Sequence, residues 1–142
     1  IYALPHFKKI TQTPHFTVML TEFNASFRQI FTDGRPLPVD PNPSWHGYST
    51  GRWEGDALVV RTNGFRDGLW LDVSGTPLTE AATITERITR PNYGTLEVAF
   101  TVDDPKAYTR PWTVNIRQEI IVDTDLIEEI CLEGLRPMHL PK

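Results

Sequence analysis

Few residues in this chain are placed to do chemistry. From Ala82 to Arg90 apolar and polar residues alternate, which puts Ile84, Glu86 and Ile88 on one face of a strand. Thr83, Thr85, Arg87 and Thr89 occupy the other face. A carboxylate on an apolar face loses hydration, and its pKa rises unless a cation or hydrogen-bond donors compensate. A Glu in that state suits general acid or base work. The commoner fate of such a group is an ion pair with an Arg from a neighbouring strand, which holds the register. Arg28 and Arg52 are the partners the sequence offers.

A second constellation runs from Trp45 to Trp53. Strict alternation places His46, Tyr48, Thr50 and Arg52 on one face and Trp45, Gly47, Ser49, Gly51 and Trp53 on the other. The first set is a row of donors and titratable groups, with a His able to exchange protons near neutral pH. The second combines glycines that give room with two indole rings that give bulk, as a bent strand or a ligand cleft needs. Either face could be the inner one, and His46 and Arg52 could equally face solvent. Trp70 and Trp112 sit at strand–loop junctions, where aromatics cap a core or line the mouth of an apolar site.

Other chemistries find little support. Asp33, Asp67, Asp72 and the Asp103-Asp104-Pro105 corner have the positions of turn carboxylates that accept backbone hydrogen bonds. They lack calcium-loop spacing, and no Cys/His cluster has zinc spacing, so no metal is expected. Cys131 is the only cysteine. Lying between Ile130 and Leu132, it reads as a small hydrophobe. There is no Gly-x-Ser-x-Gly, phosphate-cradling loop or dinucleotide fingerprint, so acyl-enzyme and nucleotide chemistry are not expected.

The elements that must position these residues are strands. Periodicity of two marks Phe16 to Phe23, Ser26 to Thr32, Trp45 to Trp53, Ala57 to Asn63, Ala82 to Arg90, Thr95 to Val102, Thr113 to Val122 and Leu126 to Leu132. Glu54-Gly55-Asp56 and Pro91-Asn92-Tyr93-Gly94 are hairpin turns. Residues 35–43 carry four prolines and form an extended crossover, since such a stretch cannot be helix or central strand. Short helices are expected only after Gly75 and over Asp125 to Cys131. The pattern predicts one domain over residues 1–142, all-β, an antiparallel barrel or half-barrel of about eight strands, with a β-sandwich as the alternative.

Composition agrees with one folded domain. The 142 residues are 39% hydrophobic and 23% charged, a globular balance rather than a disordered one. A net charge of -4 leaves no electrostatic footprint for nucleic acid. No run of about 18 apolar residues occurs, so no membrane insertion is expected. The sequence opens at Ile1 without a basic and apolar leader pattern, so no signal peptide is expected, and a first residue other than Met suggests a processed or trimmed start.

Several phrases together carry a resemblance: Phe27-Arg28-Gln29-Ile30-Phe31-Thr32-Asp33-Gly34-Arg35, Gly51-Arg52-Trp53-Glu54-Gly55-Asp56-Ala57-Leu58-Val59-Val60, Glu86-Arg87, and Asp103-Asp104-Pro105-Lys106-Ala107-Tyr108-Thr109-Arg110-Pro111-Trp112. From about Phe7 to Glu133 the chain resembles a large group of uncharacterised, typically exported proteins of acidobacteria and proteobacteria. The resemblance implies a periplasmic or secreted location and no particular activity. Members often carry a further upstream Cys, which would pair with Cys131. Gly51-Arg52-Trp53 is also similar to the Gly-x-Trp opening of lipocalin-like barrels, a likeness of fold rather than function.

The leading expectation is a cofactor-independent lyase, hydratase or isomerase acting on a small, partly apolar molecule in a barrel cavity. His46 or Glu86 would be acid and base, and Tyr48 with Arg28 or Arg52 would stabilise negative charge. Trp53, Trp70 and Trp112 would supply apolar walls. The alternatives are a non-catalytic binding protein for a hydrophobic or aromatic ligand and a structural or interaction module with a filled core. A homo-oligomer is compatible with each.

Overall fold

The computed structural model describes residues 7–127 and 129. The expected all-β class is what forms: ten strands, with no helix among the described residues. They are β1 (Lys8–Gln12), β2 (Phe16–Thr21), β3 (Ser26–Phe31), β4 (Tyr48–Glu54), β5 (Ala57–Asn63), β6 (Leu69–Trp70), β7 (Pro77–Leu78), β8 (Thr83–Asn92), β9 (Thr95–Asp103) and β10 (Trp112–Glu119). Eight of them form one curled sheet, ordered β1-β2-β3-β4-β5-β8-β9-β10, which makes a half-barrel with β1 and β10 as its edges. β6 and β7 form a separate two-stranded ribbon.

All pairs in the large sheet are antiparallel except β3 with β4, which run parallel. The proline-rich crossover explains the exception. β3 ends at one end of the sheet, and residues 32–47 carry the chain back to the other before β4 begins. A parallel neighbour needs such a long return, which no hairpin can supply. Pro38 anchors the route by accepting a hydrogen bond from Asn63 Nδ2 at 2.7 Å.

Two expectations are corrected. β1 was not foreseen, because Lys8-Lys9-Ile10-Thr11-Gln12 lacks an apolar alternation; it is an edge strand held by pairing to β2. The segment after Gly75 is not a helix. Asp72 accepts hydrogen bonds from the amides of Ser74 and Thr76 and from Thr76 Oγ1, and the residue before a proline is driven from helical toward extended backbone. The chain therefore turns back to pair β7 with β6. Residues 125–127 are not helical, while most of the expected 126–132 strand and Cys131 lie outside the described residues.

The strands' inward residues form two apolar clusters. One joins Met19, Ile30, Leu58, Val60, Ile88 and Val98. The other joins Phe65, Leu78, Ala82, Ile84 and Val102, with Tyr108 and Trp112 packed against it. Strand direction places the β1–β2, β4–β5 and β8–β9 turns at one end of the half-barrel. The second cluster fills the opposite end, where β5 leaves and β8 begins.

Candidate functional site

Glu86 is completely buried on the inner face of β8, as the alternation requires. Its partner is Arg28 on β3, itself 5% exposed. Arg28 Nη1 donates to Glu86 Oε1 at 2.9 Å, and Nη2 donates to Glu86 Oε2, so the pair is bidentate. Arg28 Nε donates to Ser49 Oγ at 3.0 Å and Nη2 to Thr62 Oγ1 at 2.7 Å. The two hydroxyls lie 2.9 Å apart and share a further hydrogen bond. Both carboxylate oxygens are thus engaged by a planar cation, the arrangement in which a buried charge pair is tolerated.

Arg52, the other partner the sequence offered, is 76% exposed on the outer face and pairs with Glu54, which also binds Arg87. The row expected from His46 to Arg52 divides accordingly. Within β4 the buried residue is Ser49, while Tyr48, Thr50 and Arg52 belong to the outer face. Tyr48 stacks on Phe31 at 5.2 Å and accepts a hydrogen bond from Arg35 Nη1 at 3.2 Å. His46 precedes the strand and is half-buried; burial, with the charge of Arg28 adding to it, lowers its pKa.

The alternation fails at His46 because Gly47 has φ of +65°, which turns the chain before β4 starts. A Cβ at Gly47 would lie 2.6 Å from the Asn63 carbonyl oxygen and 2.7 Å from Thr62 Cγ2. Only glycine fits that conformation and that space.

A cavity of about 840 Å³ opens on the concave side between the two edge strands. Its inner wall is apolar, built from Met19, Ile30, Leu58, Ile88, Leu96 and Ile116. Trp53, Asp56, Arg90 and Tyr93 stand at its rim near the turns. Past β10, Ile120, Ile121, Thr124, Asp125 and Leu126 line its open side, and the Ile127 amide then donates to Glu22 Oε1 at 3.2 Å. This segment straps the gap between the two edges.

Of the residues expected at a site, only Trp53 lines this cavity among the described residues. Arg28 and Glu86 lie in the buried layer between the two apolar clusters. Trp70 is 72% exposed on β6, and Trp112 packs edge-on against Tyr108 in the second cluster. Sequence reasoning missed Thr17, which is 4% exposed, lines the cavity and leaves its Oγ1 without a hydrogen-bond partner. A Thr alternating with Val18 and Met19 in Thr17-Val18-Met19 carries no signal of that kind. No group of three or more acidic, His or Cys side chains is arranged to hold a metal among the described residues.

Comparison of the chain with protein-family models, curated proteins and solved structures returns no match.

Proposed function

We propose that the protein binds a small, largely apolar molecule in the half-barrel cavity and does no chemistry on it. The observation that carries this reading is the apolar wall from Met19 to Ile116 around a volume of about 840 Å³. Small-molecule sites have volumes of roughly 300–1,000 Å³, apolar linings and a few placed polar groups. Burying ten methylenes yields about 8 kcal/mol before the costs of association, so micromolar affinity, which needs about 8 kcal/mol net, is the upper bound for a ten-carbon ligand.

Acid/base catalysis by His46 and Glu86 is less well supported. Neither residue lines the cavity, and both carboxylate oxygens of Glu86 are held by Arg28. A general base must come within hydrogen-bond reach of the proton it abstracts.

The test is titration with N-phenyl-1-naphthylamine, a neutral apolar fluorophore, read by its own emission and by Trp53 quenching. Saturable one-to-one binding is expected. Ile116→Trp, which fills the cavity from edge strand β10, should weaken it at least tenfold while thermal unfolding stays cooperative. Absence of saturable binding, or equal binding by the filled variant, overturns the proposal.

A further inference from the structure

Within that cavity, the polar groups point to a particular class of ligand. We infer that the protein selects a neutral amphiphile, an apolar skeleton bearing an alcohol or carbonyl group whose oxygen meets Thr17. This rests on the reading of the cavity as a binding site.

Thr17 lies on the inner face of β2, with Ile30 opposite it on β3 and Gln12 opposite it on β1. Its hydroxyl is buried without a hydrogen-bond partner, although buried polar groups are ordinarily satisfied. Thr17 lines the cavity, and its hydroxyl can turn about χ1 between staggered positions, so a ligand oxygen could supply the missing partner. Gln12 lines the same cavity and brings an amide able to donate and accept. Thr95, 7% exposed, adds a second buried hydroxyl-bearing residue to the lining.

The charges are distributed differently. Lys9, Asp56, Arg90, Arg117, Glu119 and Asp125 are exposed in the lining, three cations against three anions, so they favour neither an anion nor a cation. Lys8 is the one half-buried charged residue in the lining; burial lowers its pKa, and it is already engaged by another group. A charged head drawn past this rim would lose hydration against an apolar wall, whereas an alcohol or ketone would lose far less. The arrangement therefore discriminates by the cost of desolvating the ligand, with Thr17 supplying the positive contact.

The test displaces N-phenyl-1-naphthylamine with four ten-carbon competitors: decan-1-ol, decan-2-one, decanoate and decylammonium. The alcohol and ketone should compete at least about tenfold more tightly than either ion. Thr17→Val should weaken both neutral competitors by roughly five- to tenfold relative to the two ions, each affinity being referred to the fluorophore affinity measured on that same variant, and should raise the melting temperature of the unliganded protein. Thr17→Ser, which keeps the hydroxyl, should restore affinity for the alcohol. Equal or tighter binding of an ion, or an unchanged alcohol affinity in Thr17→Val, overturns the inference but leaves the binding function standing. Failure of the fluorophore and all four competitors to bind overturns both.

Discussion

Arg28 reaches Glu86 across two intervening strands, β4 and β5, laying its guanidinium over Ser49 and Thr62 on the way. Three strand spacings amount to about 14 Å along a flat sheet, farther than an arginine side chain spans. Contact is made because the sheet curls and because both residues beneath the guanidinium are small. The pair thus ties β3 to β8 across the concave face and belongs to the frame that shapes the cavity.

Removing one partner should therefore cost more than removing both. Arg28→Met leaves Glu86 buried and uncompensated, and should destabilise by about 3–5 kcal/mol. Arg28→Met combined with Glu86→Leu should recover most of that loss. Urea unfolding of the two single variants and the double variant checks the coupling; additive losses would show that the pair does not act as a unit.

His46 senses the same cation from a distance. Burial chiefly, with the charge of Arg28 as a smaller contribution, holds its pKa below the ordinary 6.5. With the folded value depressed, the folded state binds fewer protons, so this contribution to stability is full above about pH 6.5 and declines as pH falls toward the folded pKa. An NMR titration of the imidazole should show a midpoint below 6.5, and a conservative loss of charge in Arg28→Met should move it upward. An unmoved midpoint would sever the two residues.

Asp104 shows the opposite outcome of burial. Desolvation alone would raise its pKa, but donors overcome it: the Thr79 amide and Thr79 Oγ1 both lie at 2.8 Å, and the amides of Lys106 and Ala107 add to them. The carboxyl is held below the ordinary carboxylate range. Its stabilisation is present above the unfolded value near 4 and lost as pH falls through the lower folded value. Asp104→Ala should cost about 2–3 kcal/mol near neutral pH, and less in acid, in unfolding measured across pH.

Backbone conformation supplies a paired test in opposite directions. Gly47→Ala meets both a positive φ and a carbonyl oxygen 2.6 Å away, and should cost more than about 2 kcal/mol. Ala25 holds φ of +45° in the exposed turn between β2 and β3, where Ser26 donates to the Phe23 carbonyl. Ala25→Gly should stabilise by about 0.5–1 kcal/mol by relieving that strain. Thermal melts of the two variants should shift oppositely.

How much of this the sequence made legible depends on the residue. Period-two alternation put Ile84, Glu86 and Ile88 on one face, because a pleated strand turns alternate side chains the same way, and that face is the buried one. Arg28 was within view as the Glu86 partner, but so was Arg52, and only the curl of the sheet separates them. The inner face of β4 could not be read past Gly47, since a positive φ resets the parity on which the reading depends. The cavity was illegible for a related reason. Thr17 and Gln12 oppose one another only through β1, an edge strand whose residues carry no apolar signature.

The gathering of three turns at one end has a practical consequence. Residues 13–15, 55–56 and 93–94 join strands whose inward side chains make the frame, yet the Arg28–Glu86 tie lies well down the strands from all of them. The rim of the cavity and the tie that holds the shell are written in separate short stretches of chain. Surface turns of this kind tolerate change, so under the proposed binding function substitutions at Asp56 and Tyr93, which line the cavity, should retune what is admitted while the scaffold beneath stays unaltered.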